Sequence, residues 1–191
     1  MLRSTWKRIA AMLLLWAGTS VPVAAQLING PASVDLGVNY TADVSNASPG
    51  VCGCFAMQGG GVNARLGLTD RLSAVADFSV VNTSRVPSTN FGLGLITLMA
   101  GPQLRYRVGR YTSYGQVLLG AVRGFDSVFP ASSSNSPTSF VFEAGAGSEI
   151  RIHPKFSTRL IEVDYMHTGL PNNSNNWQNH LKIAAGLIYH F

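Results

Sequence analysis

Two stretches of the sequence carry side chains that perform chemistry in other contexts. His167 is followed by Thr168 and Gly169, with Glu162 and Asp164 a few residues upstream. A hydroxyl nucleophile needs an adjacent base, and that base needs an orienting partner. In an extended strand the residue two positions after His167 shares its face, and that residue is Gly169, so no nucleophile stands there. Glu162 and Asp164 fall on the opposite face. His167 therefore reads as an interface residue at a strand end, and no catalytic residue is expected. Cys52-Gly53-Cys54 forms the second stretch. A disulfide across one residue is strained and uncommon, and two thiols fall short of the four ligands of a structural zinc site. A loop disulfide between Cys52 and Cys54 and a pair of free thiols both remain open. His153, His180 and His190 have no ligand-like spacing, and Gly59-Gly60-Gly61 fits no nucleotide-binding pattern, reading as a flexible loop-to-strand junction. Neither a metal nor a cofactor is expected.

The remaining charges are more informative, because nearly all of them alternate with apolar residues. Val34, Leu36, Val38, Tyr40 and Ala42 alternate with Asp35, Asn39, Thr41 and Asp43. Val62, Ala64, Leu66 and Leu68 oppose Asn63 and Arg65; Ala74, Ala76, Phe78 and Val80 oppose Ser73, Asp77 and Ser79. Ile96, Leu98, Ala100, Leu104, Tyr106 and Val108 oppose Thr97, Gln103, Arg105 and Arg107. The run at Val117, Leu119 and Ala121 has a less polar opposite face. Phe140, Phe142, Ala144, Ala146, Ile150 and Ile152 oppose Glu143, Glu149 and Arg151. Ile161, Val163 and Tyr165 oppose Glu162 and Asp164. Leu181, Ile183, Ala185, Leu187, Tyr189 and Phe191 oppose His180, Lys182 and His190. A period of two marks strands, whereas a helix would repeat every three to four residues. The runs number eight, each roughly the ten residues that a tilted strand needs to cross a bilayer. Pro102 falls inside the fourth run, where a bulge is expected.

Composition says where such strands belong. Charged residues make up 12% of the 191-residue chain, about half the share of a soluble domain, and mean hydropathy is positive. Arg3, Lys7 and Arg8 precede the apolar run Ile9 to Gly18, and Ser20-Val-Pro-Val-Ala-Ala25 follows. That order reads as a secretory signal peptide over residues 1–25, cut after Ala25, with a barrel domain over 26–191. Its apolar run is about half of the roughly 20 residues a spanning helix requires. Removing it leaves 11 basic against 9 acidic side chains, too even a balance for a nucleic-acid partner.

The expected fold is all-β: an eight-stranded antiparallel up-and-down transmembrane barrel. Connections are expected at Ser45–Gly61, Thr69–Arg71, Asn82–Gly92, Gly109–Tyr111, Asp126–Ser139, His153–Phe156 and Leu170–Asn179, long and short in strict alternation. Outer-membrane barrels have this asymmetry, with short periplasmic turns and long outer loops. Both termini are then periplasmic. The outward faces must be apolar, and Arg123 and Arg159, which share outward parity, are expected near strand ends, where charge costs least. Tyr106, Tyr189 and Phe191 should mark one membrane boundary and Phe140, Phe142 and Tyr165 the other. Inside, Asp35, Asp43, Arg65, Asp77, Arg105, Arg107, Glu143, Glu149, Arg151, Glu162, Asp164 and Lys182 should pair with one another in a network that plugs the lumen, since unpaired buried ions are costly.

The ending Leu181-Lys-Ile-Ala-Ala-Gly-Leu-Ile-Tyr-His-Phe191 resembles the C-terminal signature of bacterial outer-membrane barrels, with Phe last, an aromatic two residues earlier and apolar residues alternating before it. Glu162-Val-Asp-Tyr-Met-His-Thr-Gly-Leu-Pro171 and Gln178-Asn-His-Leu-Lys-Ile-Ala-Ala-Gly186 resemble the final hairpin of OmpA-like barrel domains. The resemblance implies recognition by the barrel-assembly machinery through Leu187, Tyr189 and Phe191, outer-membrane lipids as surroundings, and a monomer. It implies a structural or surface-interaction role. The alternatives are a narrow pore or a lipid-modifying barrel like the lipid A deacylases, whose His and following Ser are not matched at His167.

Overall fold

The computed structural model describes residues 33–46, 54–86, 92–125, 136–171 and 176–191. Residues 1–25, read above as a signal peptide, and Cys52 lie outside them. The alternating runs form eight strands: β1 (Val34–Asn46), β2 (Cys54–Gly67), β3 (Leu72–Thr83), β4 (Leu93–Val108), β5 (Tyr111–Phe125), β6 (Thr138–His153), β7 (Phe156–Thr168) and β8 (Gln178–His190). Each pairs antiparallel with its sequence neighbours, and β1 also pairs with β8, closing the sheet into a barrel. Closure satisfies the backbone of every strand on both sides, which is what hydrocarbon demands of a sheet. Among the described residues no helix is long and apolar enough to cross a membrane.

One end of the barrel carries the short connections 68–71, 109–110 and 154–155, together with the start of β1 and the end of β8. The other carries 47–53, 84–92, 126–137 and 169–177. We refer to these as the short-turn and long-loop ends. Gly109, with φ +59, turns the chain from β4 into β5 in a backbone conformation that other residues enter at a cost.

Burial follows the alternation. Leu98, Leu104, Tyr106, Val108, Phe140 and Leu187 stand exposed on the outer wall, while Asp35, Arg65, Asp77, Glu143, Asp164 and Lys182 are buried inside it. Outward aromatics gather near the two rims. Phe156, Tyr189 and Phe191 stack edge to face at the short-turn end, with centroids 5.2 Å and 4.8 Å apart. Trp177 packs edge-on to His167 at the other end.

Three expectations need correction. First, β2 begins at Cys54, so Gly59, Gly60 and Gly61 lie within a strand and not in a loop. Glycine carries no side chain to display alternation, which hid this half of β2. Second, β4 has no bulge at Pro102. Ala100 faces Leu119 and Gln103 faces Gln116, so both strands advance equally; Pro102 instead faces outward, and pairing to β5 is interrupted at Gly101 and Pro102 while Ala74 still faces Pro102 across β3. A proline lacks only its own donor, and the ladder loses rungs without shifting. Third, β7 carries an unforeseen bulge. Gly147 and Glu149 of β6 face Glu162 and Arg159, so three steps on β7 oppose two on β6. Leu160 and Ile161 both face outward as a result, and the residues on either side of them both face inward.

Glycine at the curved wall has a specific purpose at Gly120. A methyl there would strike the Leu98 carbonyl oxygen and lie 2.7 Å from Met99 Cα, both backbone of β4. At Gly115 a methyl would meet only the Gly145 carbonyl oxygen at 3.7 Å, an ordinary van der Waals contact. Gly120→Ala should therefore cost about 1–3 kcal/mol, whereas Gly115→Ala should change stability by less than about 1 kcal/mol in either direction. Urea midpoints of the two variants, refolded in vesicles, test this contrast.

Candidate functional site in the barrel lumen

An eight-stranded barrel is just wide enough for its own side chains to fill, so each inward charge meets residues from distant strands. Arg65 on β2 occupies the centre of the short-turn half. Its Nε donates to Asp35 Oδ2 at 2.8 Å, and Nη1 and Nη2 donate to Glu149 Oε1 and Oε2 at 2.9 and 3.2 Å. Nη1 also reaches Gln103 Oε1 at 3.2 Å. A planar guanidinium holding a carboxylate with two parallel bonds is the strongest common ion pair. Glu149 lies on β6, four strands away around an eight-strand ring, so this pair bridges opposite walls. Asp35 is shared further with His190 Nδ1 at 2.6 Å and, more loosely, with Arg105 Nη1 at 3.8 Å.

A second tier lies deeper. Arg159 Nη1 donates to Glu162 Oε1 at 3.1 Å, and the Tyr114 hydroxyl donates to Glu162 Oε2 at 2.5 Å. Gln103 Nε2 donates to Gln116 Oε1 at 3.0 Å, and Gln116 Nε2 donates in turn to Asp164 Oδ1 at 3.1 Å. A third tier centres on Lys182, whose ammonium is 2.6 Å from Glu143 Oε2 and 4.0 Å from Asp77 Oδ1. His180 Nδ1 lies 3.0 Å from Asp43 Oδ1.

Toward the long loops much of the interior turns apolar. Phe55, Met57, Leu95, Leu118, Val122 and Met166 belong to one buried cluster. The interior is thus not polar throughout, as alternation alone suggests. The less polar inward face of β5 was the sequence signal for it, at Leu118.

Of the residues expected in the network, Asp35, Asp43, Arg65, Asp77, Arg105, Glu143, Glu149, Glu162, Asp164 and Lys182 are brought together inside. Arg107 and Arg151 are not. Arg107 is exposed, Arg151 half-buried, and both lie at the short-turn mouth, with no carboxylate within 4.0 Å among the described residues. Strand parity gave them the correct side of the wall, but they stand in its last rungs, at the rim where the lumen opens. Arg159 corrects the opposite error: assigned outward, it is buried inside because the β7 bulge reverses its side. Sequence reading also missed Tyr114, Gln103, Gln116, His180 and His190 as network members; their inward parity was the available signal. His167 hydrogen-bonds through Nδ1 with Asn179 Oδ1 at 2.9 Å, while Thr168 is buried on the other face. Cys54 opens β2, and pairing with Cys52 falls outside the described residues. Among the described residues no cluster of three potential metal ligands occurs.

A closed antiparallel barrel, apolar outside and ion-paired within, is the architecture of an outer-membrane protein. This chain belongs to the outer membrane protein beta-barrel domain family, whose model matches residues 11–191. No curated protein matches it. Among solved structures it resembles Neisserial surface protein A (NspA), at 17% identity and TM-score 0.70, over 85% of this chain and 100% of that one. It is also similar to Ail, the attachment invasion locus protein of Yersinia pestis, solved with the heparin analogue sucrose octasulfate, at 17% identity and TM-score 0.56 over 84% and 99% of the chains. OprG from Pseudomonas aeruginosa aligns at 10% identity and TM-score 0.56, over 86% and 98%. At these identities the likeness is one of fold, and it agrees with an outer-membrane location.

Proposed function

We propose that this outer-membrane barrel is a non-enzymatic structural and surface-interaction protein whose lumen is plugged by its own side chains. The observation that carries the reading is the bidentate Arg65–Glu149 pair joining opposite walls. A conducting path would have to part these ions, leaving each buried without its partner. The apolar cluster above them adds a second obstruction.

In the same reading residues 1–25 are removed after Ala25, and both termini and the short turns face the periplasm. The long connections then face outward, where contacts of the kind implied by Ail's sugar-sulfate complex would be made. The barrel works as a monomer among outer-membrane lipids. Leu187, Tyr189 and Phe191, aligned along the outer side of β8 and its end, present the assembly signal to the barrel-assembly machinery.

Planar-bilayer recording of the refolded protein tests the plug. Silent bilayers are expected under applied voltage, after a boiled-versus-unboiled gel shift has verified folding. Steady unitary conductance from the folded barrel would overturn the proposal in favour of a narrow pore.

A further inference from the structure

The short-turn mouth opens into a cavity of about 580 Å³. Three guanidinium groups line it: Arg105 and Arg107 from β4, on the inward parity of that strand, and Arg151 from β6. Their state is unusual for arginines so placed. The Arg105 side chain is nine-tenths buried, yet it makes no hydrogen bond; its Nε is buried without a partner, and its one carboxylate, Asp35, stands 3.8 Å away. Asp35 is already engaged by Arg65 at 2.8 Å and His190 at 2.6 Å. Arg107 and Arg151 have no carboxylate of the described chain within 4.0 Å, the α-carboxylate of Phe191 included. Asp70 is the other acidic side chain on the lining.

A guanidinium removed from water strongly favours oxyanion acceptors, and its planar fork matches carboxylate and phosphate oxygens. Three such forks stand around one cavity against two uncommitted acids, Asp70 and the Phe191 α-carboxylate, and the surplus cation favours an added oxyanion there. We propose that this mouth is a binding site for a phosphate group, held by Arg105, Arg107 and Arg151. The group is supplied either as free phosphate or as the headgroup of a phospholipid in the adjoining leaflet. The cavity is large enough to admit the glycerol unit of such a headgroup beside the phosphate. This site does not depend on whether the lumen above it is plugged.

The test uses the refolded full chain in phosphate-free maltoside micelles, with the Nε–Hε resonance of Arg105 followed by nitrogen-15 NMR. Inorganic phosphate and a short-chain phosphatidylglycerol are titrated separately, against sodium chloride at matched ionic strength. Saturable single-site shifts with inorganic phosphate support a free-phosphate source; saturation by the lipid alone supports a headgroup source. In either case the Arg107→Ala/Arg151→Ala variant should bind roughly tenfold or more weakly, as loss of charge-assisted bonds implies. Arg107→Gln, altering only an exposed side chain, provides a second variant should the double one fail to fold, and should weaken binding in the same direction. Shifts no larger than those caused by chloride would mean an adventitious ion only and overturn the proposal. Undiminished binding by the folded variants would overturn it as well.

Discussion

Arg65→Ala should destabilise the barrel by roughly 3–5 kcal/mol, the cost typical of removing one partner from a buried ion pair. The reason lies in what remains. Glu149 loses both guanidinium bonds, and Asp35 loses its shortest arginine contact. Both carboxylates are largely withdrawn from solvent, Asp35 and Glu149 being 4% and 3% exposed. Replacing both partners with apolar residues of similar length behaves differently, because the uncompensated charge disappears with the pair. Arg65→Met/Glu149→Met should therefore recover part of the loss, although Asp35 keeps only His190 and a distant Arg105. Equilibrium urea unfolding in lipid vesicles measures both. An Arg65→Ala barrel within about 0.5 kcal/mol of the parent would show that the cross-lumen pair contributes little to stability.

A second large effect should come from deleting single residues, with opposite outcomes at two sites. In β3, Ser73, Val75, Asp77, Ser79 and Val81 alternate inward without interruption. Deleting Ala76 reverses one side of the strand, because a one-residue slip transfers every following side chain to the other face. Either Asp77 and Ser79 then enter lipid, or Ser73 and Val75 do, and the ladders to β2 and β4 cannot both be kept. Loss of the folded species on an unboiled gel is expected. Deleting Leu160 from the β7 bulge instead removes the surplus residue. Arg159, Ile161 and Glu162 would then alternate inward, outward, inward, matching the two-residue step of β6. That barrel should still fold and retain its gel shift. Equal failure of both deletions would contradict the bulge as the device that turns Arg159 inward.

Much of this architecture is legible from alternation, since a half-lipid, half-lumen strand must change polarity at every residue. Eight strands, their order and the sorting of connections by length follow from it. What alternation cannot encode is a change of phase. Arg159 and Glu162 are three residues apart, so parity assigns them to opposite faces, and only the bulge at Leu160 and Ile161 places both inside. Nor does it encode depth. Arg105 and Arg107 are equivalent by parity, but Arg105 is mostly buried while Arg107, one turn of the pleat nearer the strand end, is exposed at the rim. Glycine hides alternation altogether, as at Gly59 to Gly61 in β2, and apolar residues on both faces, as at Leu118 and Leu119 in β5, hide which is the lumen. The mutual partners of the network come from strands far apart in sequence: Arg65 and Glu149, or Asp35 and His190, meet only once the sheet has closed.

The interior interleaves its deepest ionic tier with apolar side chains, Glu143 lying between Leu118 and Met166 of the neighbouring strands, while the charges nearest the short-turn mouth stand apart from that stretch, and this makes the barrel electrically lopsided. Toward the long loops the lumen carries Phe55, Leu95 and Val122, apolar side chains among which a bare charge is unwelcome, alongside the Asp43–His180 pair. The charges near the short-turn end communicate instead through the arginine-lined mouth. A voltage applied across the wall would therefore drop chiefly over the filled stretch between that mouth and the long loops, and Asp35 and His190, which line the mouth, would track the electrolyte of one compartment alone.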